Sequence, residues 1–411
     1  MEMRSSDYRR SSDYVRLEQT LGADNYKPLE VVVARAEGVW VWDVERRKYM
    51  DCLAAYSAVN QGHCHPRIAA AMTEQARRAT LTSRAFYNDQ LGRMYETINR
   101  ISGFTRILPM NTGSEAVETA IKAARRWGYQ KKGIPADQAE ILVFDGNFHG
   151  RTTTIVGFSS ESSYREGFGP FTPGFTVLPY GDADAVRRAI SPNTCAILVE
   201  PIQGEAGIII PPDGYLAELS RMAADENVLL MCDEIQSGLG RTGRMFAFEH
   251  EGIRPDVVII GKALSGGFYP VSAMLTDDRV MDVFTPGTHG STYGGNPLGA
   301  AIACTALDVL VDERLPENSA TLGAYAIERL RGITADHVVD VRGRGLWIGI
   351  ELSKDTGGAR PYCEALRDEG LLCKETHDYV IRFAPPLVIT RDELDWALDR
   401  LEKVLQADVA G

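Results

Sequence analysis

A chain of 411 residues, 44% apolar and 24% charged, can bury the core of roughly two or three domains and has the composition of an ordinary soluble globular protein. Its net charge of -12 repels phosphate backbones and anionic lipid, so neither nucleic acid nor a membrane surface is an expected partner. Seven cysteines without paired spacing fit free thiols in a reducing compartment, and no apolar run approaches the roughly 18 residues of a membrane span, so a cytoplasmic protein is expected.

In chain order, the first 19 residues lack an apolar signal core, and Glu2, Asp7 and Asp13 argue against a transit peptide. The tandem hexads RSSDYR and RSSDYV (Arg4 to Val15) are read as a fraying terminus and given no function. VVVARAEGVWVWDVERRKYMD (31–51) alternates like a small antiparallel sheet. Ser114 to Arg126 carries Ala116, Val117, Ala120, Ile121 and Ala124 on one face at helical spacing. Short apolar runs follow at 141–144, 175–178, 195–200, 228–232, 256–261 and 270–275, several of them separated by helical segments such as 216–227. Continuous apolar strands alternating with helices predict a mostly parallel sheet covered on both faces. After Asn296 come a long helical stretch, the strand-like VVDVRGRGLWIGIEL (338–352), another helix and YVIRFAPPLVI (379–389). The expected architecture is α/β: a large domain over 51–300 built on the central sheet, and a small α+β domain assembled from 1–50 and 301–411. No repeat at solenoid periods of about 20–50 residues divides the chain.

Four motifs have chemical potential. MNTGSEAVETA (110–120) opens a helix on a Thr-Gly-Ser turn, which suits a phosphate or is a plain N-cap. VLLMCDEIQSG (228–238) ends a strand at Asp233 and Glu234, where ligands bind in α/β sheets. The same string imitates a nucleotidase metal strand. The only Gly-Lys pair, Gly261-Lys262, is followed by Ala263 and has Asp256 in place of the first glycine, so no phosphate loop accompanies it. GLGRTG (238–243) matches a dinucleotide pattern without directly following a strand. In DVVIIGKALSGGFYPVSA (256–273), Lys262 follows an apolar strand and is either a desolvated, nucleophilic amine or a solvated loop residue. HCHP (63–66) resembles a metal site, yet alternate residues of an extended chain face opposite ways and no second ligand cluster appears, so no metal is expected.

A phosphate-binding helix start, an acid at one strand end and a lysine after the next are together what pyridoxal phosphate requires: N–H donors for the phosphate, a carboxylate for the pyridine nitrogen and an amine for the aldehyde carbon. The sequence resembles the class III aminotransferases from about Asn25 to its end. The likeness rests on LAAYSAVNQGHCHP (53–66), SRAFYN (83–88), GNFHGRT (146–152), EPIQGEAG (200–207), DEIQSGLGRTGR (233–244), GKALSGGFYPVSA (261–273), HGSTYGGNPL (289–298) and IRFAPPLVI (381–389). YSAVNQGHCHP and NYKPL (25–29) point to the ornithine branch of that family.

The resemblance implies fold type I, pyridoxal 5'-phosphate as cofactor and a homodimer with interfacial sites. It implies that Lys262 bonds to the cofactor and shuttles a proton, Asp233 pairs with the pyridine nitrogen, Phe148 stacks on the ring and Gln236 meets its phenolic oxygen. Backbone N–H groups of Gly113 and Ser114 would hold the phosphate with Thr292 of the partner subunit. The implied reaction moves the δ-amino group of L-ornithine to 2-oxoglutarate, giving glutamate 5-semialdehyde and L-glutamate. Arg151, Tyr26 and Tyr56 would grip the α-amino acid end of ornithine, and Arg382 the second carboxylate of the keto acid. Glu205 would mask Arg382 while ornithine is bound. A structural ion pair is the plain alternative for Arg382 and Glu205. Position 149 is His where animal relatives of this branch tend to carry Trp, and from beside Phe148 it is expected to affect pocket width. Acetylornithine and 4-aminobutyrate aminotransferases would share the cofactor residues, with Tyr26 and Tyr56 against them; a catalytically silent binding protein is the remoter alternative.

Overall fold

Six of the apolar runs become neighbours in one seven-stranded sheet. In the computed structural model, which describes residues 10–407 and residue 409, the first sheet holds β1 (Val33–Glu37), β2 (Trp40–Asp43) and β3 (Lys48–Asp51), β2 running antiparallel to both neighbours as the alternation of 31–51 predicts. The central sheet comprises β4 (Arg106–Met110), β5 (Glu140–Phe144), β6 (Phe175–Leu178), β7 (Thr194–Val199), β8 (Leu229–Asp233), β9 (Val257–Ile260) and β10 (Ser272–Thr276), in the order β4-β10-β9-β8-β7-β5-β6. Only β10 runs against the others. Every residue of β7, β8 and β9 is buried, because helices cover both faces and leave no solvated side to alternate toward.

The third sheet contains β11 (Val338–Gly343), β12 (Ile348–Leu352), β14 (Lys374–Thr376) and β15 (Val380–Phe383). The remaining strand, β13 (Leu371–Leu372), crosses to the first sheet and pairs with β3 in parallel, so the two chain ends share a sheet. Strand β4 has no counterpart in the sequence reading. Pro109 lies within it, and a strand with proline survives here at the sheet edge, where one side needs no ladder donor.

Residues 4–9, the first hexad, lie outside the described residues. The second hexad does not fray: it opens the helix Ser11–Leu21, where Arg10 N–H donates to Asp13 Oδ2 at 3.1 Å, although no residue of that helix is buried.

Parallel strands place their C-termini on one edge, where ligands bind in α/β sheets. That edge gathers Asp233 at the end of β8, Glu200 just past β7, Lys262 just past β9, and the start of the helix Gly113–Trp127 after β4. The helix buries Ala116, Val117, Ala120, Ile121 and Ala124, the face its periodicity predicts. A reciprocal cap fixes its start: Thr112 Oγ1 accepts from Glu115 N–H at 3.3 Å, and Glu115 Oε2 accepts from Thr112 N–H at 2.8 Å.

Candidate active site

The helix cap leaves the next donors free. Gly113 and Ser114 N–H groups lie in the first turn, where no helical carbonyl reaches them, and they find no other partner among the described residues. Two glycines shape the space before them. A Cβ on Gly113 would come within 2.9 Å of Ile235 Cδ1. Gly150 has φ +126°, and a Cβ there would come within 2.1 Å of Ser114 Oγ. This cradle of free N–H donors, closed to larger residues, fits a phosphate.

Lys262 stands across the same strand edge in left-handed backbone, φ 44°, as the first residue of a short 3-10 turn that follows Gly261. Its amine takes no hydrogen bond among the described residues. Burial, assisted by Arg382, holds that amine below the ordinary lysine value, with Glu205 and Asp233 pulling the other way. A lysine with a lowered amine pKa and no fixed partner is suited to attack a carbonyl carbon.

Asp233 is 5% exposed. Its Oδ1 accepts from Ile235 N–H at 3.0 Å, and its Oδ2 meets His149 Nδ1 at 2.7 Å. The sequence reading expected His149, from beside Phe148, to affect pocket width; its ring is buried, 3% exposed, and bonded to Asp233. Burial lowers its pKa, but the hydrogen bond and charge of Asp233, with Glu200 adding, leave it raised overall. Phe148 N–H donates to Glu200 Oε2 at 2.9 Å, and burial pushes the Glu200 carboxyl up to about 8. The Phe148 ring stays half-buried, edge-on to Tyr164 at 6.1 Å between centroids.

A second charged cluster adjoins Lys262. Arg382, on β15, is 1% exposed. It donates to Glu205 Oε1 at 2.9 Å, Gly204 O at 3.0 Å and Gln236 Oε1 at 3.1 Å. Gln236 Nε2 also donates to Glu205 Oε1 at 3.2 Å. Burial raises the Glu205 carboxyl, but Arg382 and then Lys262 outweigh it and hold it below the usual glutamate value. Glu205 keeps 26% of its side chain exposed while Arg382 keeps 2%, so the acid is the partner with room to leave.

The Tyr56 ring caps this pair, 5.2 Å from the Arg382 guanidinium carbon. Tyr56 belongs to four successive non-glycine residues, Ala54 to Ser57, with φ of 50°, 46°, 59° and 71°. Left-handed backbone costs such residues roughly 1–2 kcal/mol each. The turn is braced by Asp51, whose Oδ1 accepts from Leu53 and Ala54 N–H (2.8 and 3.0 Å) and whose Oδ2 meets His63 Nε2 at 2.7 Å. His65 Nε2 meets Glu313 at 3.0 Å, so the two histidines of HCHP serve different acids.

The remaining predicted residues are less enclosed. Arg151 is exposed, with its guanidinium 3.8 Å from the centroid of Tyr164, an aromatic that the sequence reading passed over. Tyr26 is 76% exposed. Thr292 is exposed on a loop held to its own chain by Asn111 Nδ2 donating to Ser291 Oγ at 3.0 Å, and it is not brought to the other residues.

The family model for class III aminotransferases matches residues 21–405. The chain belongs to the class III aminotransferases. Pyridoxal phosphate is the cofactor of this class III enzyme, and the N–H cradle, the buried Asp233 and the unpaired Lys262 amine fit it. This class III chain is 58% identical to ornithine aminotransferase of Brevibacillus brevis over 96% of its own length and 99% of that protein's. Ornithine aminotransferase from Toxoplasma gondii, whose active site has PLP at partial occupancy, superimposes with a TM-score of 0.96. The identity is 42%, over 97% of this chain and 95% of that one. Acetylornithine aminotransferase from Elizabethkingia anophelis aligns with a TM-score of 0.88 at 45% identity, over 97% and 99%. Among the described residues, no helix is long and apolar enough to cross a membrane.

Proposed function

We propose that this enzyme transfers the δ-amino group of L-ornithine to 2-oxoglutarate in two half-reactions at one site. Identity to ornithine aminotransferases over nearly the whole length supports the reaction. The observation that carries the selectivity is the Arg382–Glu205 pair at 2.9 Å, beside Lys262 and beneath Tyr56.

Bound pyridoxal phosphate supplies an aldehyde carbon for amines and a ring that withdraws electrons. The unit 51–300 would hold it, and the described residues of 1–50 and 301–411 would form the small domain, which carries Arg382. Gly113 and Ser114 N–H groups would hold the phosphate, Phe148 would stack on the ring, Asp233 would meet the pyridine nitrogen and Gln236 the phenolic oxygen. Lys262 is the amine that would hold the aldehyde carbon at rest. Lys262 Nζ would then carry the proton removed from the δ-carbon of ornithine to the cofactor, and in the second half-reaction would return a proton from the cofactor to the α-carbon that becomes glutamate.

Selection between the two acids is electrostatic. Arg151, with Tyr26 and Tyr56, holds the α-amino acid end of ornithine, so the δ-amine faces Lys262. A bare Arg382 would compete for that carboxylate and present the α-amine. Glu205 cancels its charge until the dicarboxylic keto acid arrives, then leaves Arg382 to form a two-pronged bond. The enzyme works as a homodimer in the cytoplasm, with Thr292 reaching the partner's phosphate site. Exposed Phe86, Tyr87 and Tyr293, at 73%, 103% and 51%, support a covering partner.

Product analysis tests the switch. Glu205→Ala is expected to let ornithine react through its α-amine, with the δ-to-α ratio falling about 10–100-fold, the range for a charged hydrogen bond. An unchanged ratio would reduce the pair to a structural one.

A further inference from the structure

Tyr26 stands on a stretch with little regular structure to hold it. Residues 22–32 form neither helix nor strand, and residues 21–28 are exposed. Pro28 locks its own φ and confines Lys27 to extended backbone, so this dipeptide is stiff and passes its position on to Tyr26. What places the dipeptide is Arg360, the first residue of the helix Arg360–Asp368. Its Nη1 donates to Lys27 O at 3.0 Å and its Nη2 to Pro28 O at 2.9 Å. Among the described residues, these are the only hydrogen bonds that residues 23–28 make.

The guanidinium is itself fixed from the other side. Nε donates to Glu364 Oε1 at 2.7 Å, and Nη1 also donates to Glu375 Oε1 at 3.3 Å. A planar fork of donors can meet two carbonyls and two carboxylates at once, which a lysine ammonium cannot reproduce. The Arg360 and Glu375 side chains are only 20% and 19% exposed, so little water competes for these bonds. Glu375 carries the connection onward along β14. The next residue, Thr376, donates through Oγ1 to Glu205 O at 2.8 Å and accepts from Arg382 Nη2 at 3.4 Å. The two ends meet at Tyr56: burial and then Glu205 raise the pKa of its hydroxyl, and Tyr26 and Glu375 are near enough to add to this against Arg382.

We propose that Arg360 is a positioning residue for the amine donor: by holding the Lys27 and Pro28 carbonyls it sets Tyr26 against Tyr56 and the Arg382–Glu205 pair. It thereby favours the half-reaction with ornithine and leaves the one with the keto acid alone. The proposal rests on Tyr26 gripping ornithine, as read above. Arg360 touches neither substrate nor cofactor in this role and acts through Tyr26.

Steady-state kinetics of single and double variants test it, because in a reaction of two half-reactions kcat/KM for each substrate reports its own half. Arg360→Ala is expected to lower kcat/KM for ornithine about 2–10-fold, the scale of one neutral hydrogen bond, and to leave kcat/KM for 2-oxoglutarate unchanged. Tyr26→Phe is expected to lower the ornithine value by a similar factor. The double variant is expected to lose no more than the worse single variant, since the two residues act as one unit. Three results would overturn the proposal: a wild-type ornithine value in Arg360→Ala, equal losses for both substrates, or losses that multiply fully in the double variant. Should Arg360→Ala fail to fold, Pro28→Gly loosens the segment with Arg360 in place; the same ornithine-selective loss is expected, and a wild-type value would overturn the proposal. Tyr26→Phe separates the two readings. If it leaves the ornithine value intact, the role of Tyr26 fails and that of Arg360 with it; if it lowers that value while Arg360→Ala does not, only the role of Arg360 fails.

Discussion

The two halves of the site are built differently. Around Lys262, Asp233, Gln236 and Arg382 the side chains are largely buried and interlocked, and the donors converge within 2.7–3.2 Å. The residues assigned to ornithine, Arg151, Tyr26 and Tyr56, are exposed; Arg151 and Tyr56 make cation–aromatic contacts rather than ion pairs. The cofactor and keto-acid groups have to be preorganised, because their charges act where water is excluded. The ornithine groups have to admit and release a flexible amino acid with three charged groups, and exposure suits that exchange.

Substitutions on the two sides should therefore separate stability from binding. The largest loss belongs to Lys262→Ala, expected to cut turnover about 10⁴-fold, the upper range for a positioned proton-transfer group, in a steady-state assay. Next comes a matched pair. Arg382→Ala is expected to raise the KM for 2-oxoglutarate about 10–100-fold and also to lower Tm, because it leaves Glu205 and Gln236 without their partner. Arg151→Ala is expected to raise the KM for ornithine by a similar factor with Tm unchanged, since its guanidinium is exposed. Equal Tm losses in the two variants would erase the distinction between the halves.

The smallest effect is one of pH. Burial holds the Glu200 carboxyl at about 8, against 4.5 ordinarily. The folded protein keeps a proton that the unfolded chain releases. This contribution to stability is full below the unfolded value and is lost as pH rises through about 8. Glu200→Gln, which cannot ionise and can still accept from Phe148 N–H, is expected to show a smaller fall in Tm between about pH 6 and about pH 9. A parallel Tm profile would show that Glu200 does not titrate there.

The sheet was legible because buried parallel strands are written as unbroken apolar runs, as at 195–200 and 256–261. Strand β4 was not, since Pro109 masks it and only its edge position permits it. Lys262 and Asp233 were individually ambiguous and became readable as a set, because one cofactor demands all of their functions. Glu200 and the true setting of His149 were hidden: which strand ends are adjacent is a property of sheet order, and no local pattern records it. The left-handed turn at Ala54–Ser57 leaves no trace either, because it contains no glycine to announce positive φ.

The most direct measurement is the first half-reaction without keto acid: holoenzyme mixed separately with L-ornithine, N-acetylornithine and 4-aminobutyrate, following loss of the bound cofactor's absorption. Rapid loss with ornithine and little with the other two is the expected result. Faster loss with N-acetylornithine or 4-aminobutyrate would leave the cofactor residues as assigned and contradict ornithine as the amine donor.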